Sequence, residues 1–124
     1  MAKIKSYTDL SQSKKLAEIL NHESADMYWD YDSMQKFHRI ELFEDGFPKT
    51  LKEQDVPAWS LAALLSVLPI LERKGYQKAK PRLSYNVIIN KWIVDSHVYT
   101  TDAYDNPVDA CVEMIIKLHE QNLL

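Results

Sequence analysis

Two pairs of side chains in this sequence have a spacing that could bind a metal ion or support hydrolysis. His22 precedes Asp26 by four residues, and His38 precedes Glu41 by three. On a helix, residues three or four apart project from one face, where an imidazole and a carboxylate could coordinate a transition metal. The same spacings are common among ordinary surface histidines, and neither pair lies in a segment with a clear helical pattern. We therefore expect no metal site and keep a small metal-binding protein or hydrolase as an alternative.

The other residue types give little support for a nucleophilic active site or for a phosphate-binding loop. Cys111 is the single cysteine, so an intrachain disulfide and a thiolate metal cluster are excluded. It falls on the predicted inner face of the last helix, with no neighbouring feature to lower its pKa, which is typical of a small buried hydrophobe. Gly46 and Gly75 are the only glycines, whereas phosphate-cradling loops usually need several. We expect no catalytic residue and no cofactor, and the sequence favours a non-enzymatic role.

A basic run between two tyrosines is a candidate nucleic-acid contact. It reads ERKGYQKAKPRLSY and begins at residue 72. Basic side chains can bind phosphates while tyrosines stack on bases. The alternative, a solvated loop before a strand, is the favoured interpretation, because the chain as a whole is not basic. The candidate contact residues are Arg73, Lys74, Tyr76, Lys78, Lys80 and Arg82.

An aromatic segment, SADMYWDYDSM, is a candidate protein contact. Tyr28, Trp29 and Tyr31 alternate there with acidic residues in a stretch that has no sustained period. Large aromatic side chains dominate the hot spots of protein interfaces. They can equally close the open side of a small hydrophobic core, and this second interpretation is the favoured one. The two alternatives differ in what the removal of Trp29 would do to stability.

Composition limits the class of protein. A chain of 124 residues with 46% apolar and 27% charged residues fits one domain, residues 1–124, with an ordinary core. The net charge of −3 gives no general reason to expect nucleic acid or acidic lipid as a partner. The longest uncharged run, residues 56–71, is shorter than the ~20 residues that cross a bilayer. We expect a cytoplasmic protein with no membrane partner.

Three helices are predicted, near residues 9–21, 57–68 and 107–121. The first begins at a capping box formed by Asp9 and Gln12, and the last has Asn106 as its cap with Pro107 in its first turn. The middle helix has Asp55 as its predicted cap and almost no polar side chain. We therefore expect it to be buried on more than one side, against the rest of this chain.

Alternating apolar and polar residues predict an antiparallel β-hairpin or small sheet at about residues 83–101, with a break at Asn90 and Lys91. Residues 22–54 fit no period and are interpreted as irregular, with a short helix near residues 33–43. The predicted fold class is therefore α+β. Because a lone hairpin is only marginally stable, either a third strand in the irregular region or a dimer is expected.

Three blocks of the sequence resemble an uncharacterised family of small proteins from phages and mobile elements of gut bacteria. The blocks are HESADMYW, DVPAWSLAALLSVLP and YDNPVDACVEMIIKLHEQNLL, which together make up about a third of the chain. The family is similar in its ADM segment, its WSLAALL–LP helix and its closing NPVDA–EM–KLHE helix. The resemblance implies an intracellular accessory role and assigns no catalytic residue.

These observations favour a non-enzymatic accessory protein of a phage or mobile element that acts through protein contacts, either with another protein or as a homodimer. The motivation is surplus apolar and aromatic surface without recognisable catalytic chemistry. A nucleic-acid-associated protein that uses residues 73–82 is the first alternative. The metal-binding protein or hydrolase is the second.

Overall fold

The computed structural model of the chain describes residues 5–43, 51–72 and 78–124. The fold is α+β, as predicted, with three α-helices and two small antiparallel sheets in the described ranges. In chain order the elements are α1 (Leu10–Ala17), a 3₁₀ turn (His22–Ser24), β1 (Met27–Asp32), β2 (Phe37–Leu42), β3 (Val56–Ala58), α2 (Leu61–Val67), β4 (Arg82–Asn86), β5 (Lys91–Asp95) and α3 (Pro107–Glu120).

Helix α1 begins where the sequence predicts but ends earlier. The Asp9 carboxylate accepts a hydrogen bond from the backbone N–H of Gln12 at 2.7 Å, and the Gln12 side chain accepts one from the Asp9 N–H at 3.1 Å. The predicted continuation to residue 21 is wrong because Asn21 begins a new element. Its side chain accepts a hydrogen bond from the N–H of Glu23 and so caps the 3₁₀ turn.

The region interpreted as irregular contains two strands of a three-stranded sheet. β1 and β2 pair antiparallel, and β3 joins the opposite edge of β1, so the strand order is β2–β1–β3. The short helix predicted near residues 33–43 is wrong. β1 carries large apolar side chains on both faces, with Tyr28 on one face and Trp29 on the other, and this hides the two-residue period of a strand.

The middle helix is shorter than predicted because its first third pairs as a strand. Residues 56–58 form β3, and the helix starts at Leu61 with Ser60 as its cap. Ser60 Oγ accepts a hydrogen bond from the N–H of Ala63 at 3.2 Å. The predicted cap, Asp55, instead accepts hydrogen bonds from two backbone N–H groups outside this helix. Pro57 fits β3 because β3 is an edge strand of its sheet, where a missing N–H is tolerated.

Helix α2 packs against α3, and its inner side belongs to the central hydrophobic core. The expectation that it is buried by its own chain is confirmed for that side, where Leu64 and Leu68 are almost fully inaccessible. The opposite side is less buried than predicted. Leu61 and Leu65 are half-buried, and two small residues, Ala62 and Ser66, face solvent.

The predicted β4–β5 hairpin is present, with a longer turn than the sequence suggests. Its register pairs Leu83 with Val94 and Tyr85 with Trp92. The strands end before residues 87–90, which form the turn, so the predicted extension of the first strand to residue 89 is wrong. The second strand likewise ends at Asp95 rather than near residue 101.

Helix α3 is the centre of the core, and its prediction is confirmed. Asn106 caps it, Pro107 occupies the first turn, and its side chains pack against α1, α2, β4 and β5. Its fully buried side chains are Val108, Ala110, Cys111, Met114, Ile115 and Leu118. In the described part of the chain, no helix has the length and hydrophobicity that a membrane span requires.

Candidate interaction surface

The three aromatic residues of the candidate protein contact lie on β1 but do not form one surface. Tyr28 is buried, and its ring stacks on that of Phe43 at a centroid distance of 5.0 Å. Trp29 lies on the other face, where its Nε1 donates a hydrogen bond to Ser13 Oγ at 3.1 Å. Tyr31 is half-buried beside the ring of His38. All three rings contact other residues of the same chain. A partner contact by these residues stays a prediction.

The two histidine–carboxylate pairs are not arranged for a metal ion. His22 Nε2 lies 2.9 Å from the carbonyl oxygen of Ala17, while the Asp26 carboxylate accepts hydrogen bonds from the N–H and hydroxyl of Ser60. His38 and Glu41 lie on a strand, where residues three apart point to opposite faces. Among the residues that the structure describes, no group of three or more potential ligands could hold a metal ion.

Half of the candidate nucleic-acid contact lies in the described residues. Arg73, Lys74 and Tyr76 lie outside them. Lys78, Lys80 and Arg82 are exposed. Lys78 Nζ lies 3.8 Å from a carboxylate oxygen of Glu72. The solvated loop before a strand and the nucleic-acid contact both require exposed side chains here, so their exposure does not separate the two.

Cys111 lies in the core, as the sequence predicts. Its side chain is inaccessible to solvent, and burial raises the pKa of its thiol to about 12. A thiol with this pKa is almost entirely protonated at neutral pH and is a poor nucleophile. Cys111 therefore acts in packing.

Glu113 holds the segment that follows β5 against helix α3. It accepts hydrogen bonds from the hydroxyls of Tyr99 at 2.8 Å and Tyr104 at 2.6 Å, and the backbone N–H of Asp102 lies 3.3 Å from each of its oxygens. These bonds raise the pKa of Tyr99 to about 12 and raise that of Tyr104 further. Lys117, one turn further along α3, lies with its Nζ 3.6 Å from a carboxylate oxygen of Glu120. The arrangement is structural.

Asp109 links helix α3 to the start of helix α1. Its Oδ1 lies 2.9 Å from Lys5 Nζ and 2.6 Å from Gln12 Nε2, and its Oδ2 accepts a hydrogen bond from Asn106. Burial alone would raise the pKa of this carboxyl, but the hydrogen bonds, above all that from Lys5, outweigh burial and lower it. The hydrogen bonds therefore keep the Asp109 carboxylate ionised, and the carboxylate supports the fold by joining the two helices.

In the described part of the chain, the turn of the second hairpin carries the longest run of consecutive exposed large apolar residues. Val87, Ile88 and Ile89 are consecutive, and their side chains are 74%, 88% and 48% exposed. Tyr85 is also exposed, and its ring lies 4.9 Å from that of half-buried Trp92. We call residues 85–89 with Trp92 the hairpin tip. Such a cluster of aliphatic and aromatic side chains is typical of a contact surface.

Hydrogen bonds hold the backbone of the hairpin tip in a defined turn. The side-chain oxygen of Asn86 accepts from the N–H groups of Ile88 at 3.0 Å and Ile89 at 3.4 Å. Asn90 takes a left-handed conformation with φ of 54°, and its side chain accepts from the hydroxyl of Tyr85 at 3.0 Å. The exposed side chains therefore project from an ordered turn, which reduces the entropy lost on binding.

The sequence contains a signal for this turn, but the alternation of apolar and polar residues along the predicted strand hides it. β-Branched Val87, Ile88 and Ile89 favour a strand by propensity, and Val87 and Ile89 continue the alternation of Leu83 and Tyr85. An asparagine stands on each side of the three residues, at 86 and 90. Asparagine favours both the side-chain turn found at Asn86 and the left-handed conformation found at Asn90.

Comparison of the chain with protein families, with curated proteins and with solved structures found no match. The hairpin tip therefore stands as a candidate interaction surface on its geometry alone.

Proposed function

We propose that this chain is a non-enzymatic, cytoplasmic accessory protein that acts through protein contacts made by the hairpin tip, with a second copy of itself as the partner. The three sequence blocks that resemble small phage and mobile-element proteins support an accessory role in such an element. The observation that carries the proposal is the run of three exposed aliphatic side chains, Val87, Ile88 and Ile89, on an ordered turn.

The edge of the adjoining strand supports a second copy as the partner. In the described part of the chain, β4 pairs with β5 and with no other strand. An open strand edge can pair with an identical edge about a two-fold axis, and the two-stranded sheet would become four-stranded. A two-stranded sheet is marginal alone, so this extension is favourable.

The charge pattern of β4 is compatible with self-pairing. Residues 83–90 carry no charged side chain. An antiparallel pairing centred on Ser84 places Arg82 of one copy opposite Asn86 of the other, so no like charges face each other across the strands. The hairpin tips then extend past each end of the joined edges, where their apolar side chains can contact the other copy.

Light scattering after size exclusion, over a range of protein concentrations, tests this proposal. We expect a dimer for the natural chain and a monomer for Ile88→Asp, because the substitution places a charge in the apolar contact. Met34→Asp is the matched control, since Met34 is an exposed apolar residue in the turn of the other hairpin. That control should remain dimeric.

Two results would contradict the proposal. The natural chain could remain a monomer at about 1 mM, a concentration that populates interfaces stronger than about −4 kcal/mol. Alternatively, Ile88→Asp could remain a dimer, which would place the contact elsewhere.

A nucleic-acid-associated function is the alternative, and it rests on the exposed Lys78, Lys80 and Arg82. The described residues around them do not extend this patch into a long basic track, since β4 carries no further charge beyond Arg82. The oligonucleotide titration described below distinguishes this alternative.

A further inference from the structure

A cavity of about 260 Å³ lies at the end of the β4–β5 hairpin away from the tip. β4 begins there, β5 ends there, and the loop after β5 closes one side. The lining residues are Ala79, Lys80, Arg82, Asp95, Ser96 and His97. Lys80 and Arg82 were candidate nucleic-acid contacts from the sequence, whereas Ser96 and His97 join them only in the folded chain.

The two cations at this cavity are available to a ligand. Lys80 and Arg82 are exposed, and neither forms an ion pair with any residue in the described ranges. Asp95, the single carboxylate among the described lining residues, accepts a hydrogen bond from the Thr100 hydroxyl at 2.6 Å. The lining therefore carries two positive charges and one negative charge, and the negative charge already accepts a hydrogen bond. The net positive charge favours the binding of an anion.

The loop that forms the rim is held in place by its own hydrogen bonds. Ser96 Oγ donates to the carbonyl oxygen of Tyr99 at 2.9 Å and lies 3.1 Å from its N–H. The backbone N–H of Ser96 also donates to the Tyr99 carbonyl, at 2.9 Å. His97 lies within this turn, so its position at the cavity is set before any ligand binds.

We propose that this cavity binds the phosphate group of a small phosphorylated molecule. The planar guanidinium of Arg82 can hold two phosphate oxygens at once, and the Lys80 ammonium adds a second charge. A volume of about 260 Å³ is near the lower end of small-molecule sites and suits a phosphate with a short attached group. A nucleic-acid strand fits less well, because it needs a continuous basic groove and the neighbouring residues 83–90 are uncharged.

Within one copy this site and the hairpin tip lie at opposite ends of β4, whereas the β4 pairing proposed for the dimer brings the other copy's tip beside the site. Arg82 and Asn86 stand at opposite ends of β4, about 14 Å apart at the ordinary rise of an antiparallel strand. Every described lining residue comes from one copy, so a monomeric chain would leave the phosphate site intact, and titration of a monomeric sample tests this site separately from the dimer.

Titration of the ¹⁵N-labelled chain with glycerol 3-phosphate, followed by NMR, tests the phosphate site. We expect saturable shifts of the amides of Lys80, Arg82, Ser96 and His97. Glycerol, and sodium chloride at matched ionic strength, should produce no such shifts. Arg82→Gln should weaken binding about tenfold or more, since a charge-assisted hydrogen bond is lost. Arg39→Gln, which removes an exposed arginine from β2, should bind like the natural chain.

Three results would overturn the inference. These are no saturable shift with glycerol 3-phosphate, equal binding by Arg82→Gln in a variant whose other amide signals show the native fold, and preferential binding of a 20-nucleotide oligothymidylate. The last result, with affinity that falls steeply as salt rises, would assign the cations to a nucleic acid instead.

Discussion

Replacement of Trp59 by alanine is expected to lower the free energy of unfolding by about 3–5 kcal/mol. Trp59 is fully buried in the central core just before helix α2. Its Nε1 donates a hydrogen bond to Ser24 Oγ at 2.9 Å, and its backbone N–H donates to Thr8 Oγ1 at 3.1 Å. The substitution would leave a large cavity and remove the indole hydrogen bond that Ser24 Oγ accepts. Urea unfolding followed by far-ultraviolet circular dichroism measures the effect.

Two variants define how this result is interpreted. Trp59→Phe retains most of the apolar volume and loses the indole hydrogen bond, so we expect a smaller decrease in the free energy of unfolding. This decrease can be measured even if Trp59→Ala does not fold. Trp92→Ala removes a half-buried tryptophan from the hairpin and should cost less than Trp59→Ala. A loss below about 1 kcal/mol for Trp59→Ala would show that the core described here is wrong.

Replacement of Glu113 by alanine is expected to lower the free energy of unfolding at neutral pH by about 1 kcal/mol or more. The change removes the acceptor of two tyrosine hydroxyls, and the hydrogen bond from the Tyr104 hydroxyl alone accounts for about 1 kcal/mol net. It also releases the segment that ends at Tyr104, which bridges to Trp92 by backbone hydrogen bonds of 2.7 and 2.9 Å. Urea unfolding at pH 7.5 measures the loss.

The same network predicts a loss of stability in alkali. The Glu113 hydrogen bonds raise the pKa of Tyr99 to about 12 and also raise that of Tyr104, whereas an unfolded tyrosine has a pKa of about 10. The folded state therefore retains protons that the unfolded state releases. The contribution to stability is complete below pH 10 and is lost as the pH rises from about 10 to 12.

Urea midpoints between pH 8 and pH 11.5 test this expectation. Tyr104→Phe should reduce the alkaline decrease, because the phenylalanine carries no proton to lose. Tyr85→Phe is the matched control: the Tyr85 hydroxyl donates to the neutral Asn90 side chain, so the decrease should persist. An identical decrease in Tyr104→Phe and the natural chain would refute the assignment to this network.

Elements whose ends depend on local chemistry were predictable from the sequence. The capping box of Asp9 and Gln12 and the Asn106–Pro107 start of helix α3 use side chains within one turn of the helix end. Their effect does not depend on distant parts of the chain. The buried face of α3 follows from the spacing of its apolar residues for the same reason.

Elements that depend on pairing with distant residues were not predictable in this way. Asp55 followed by Pro57 has the appearance of a helix start, but Val56–Ala58 pairs with β1 and stays extended. The Asp55 carboxylate then accepts a hydrogen bond from the N–H of Tyr31, 24 residues away, at 2.9 Å. A tertiary contact of this kind overrides a local cap and leaves no short-range signal.

The candidate sites were visible in the sequence only in part. Lys80 and Arg82 were identified by charge, but their position beside Ser96 and His97 results from the pairing of β4 with β5. Residues 87–89 of the hairpin tip were predicted to continue the strand, because β-branched residues have high strand propensity. Its exposure follows from the turn that Asn86 and Asn90 impose, which places the intervening side chains beyond the end of the sheet.

Hydrogen exchange measured at two protein concentrations tests most directly whether the chain recognises itself through the second hairpin. If two copies pair through β4, amides on the outer edge of β4 and in the hairpin tip should exchange more slowly in the concentrated sample. The turn between β1 and β2 should exchange equally at both concentrations. Equal exchange of β4 and the tip at both concentrations would contradict the account.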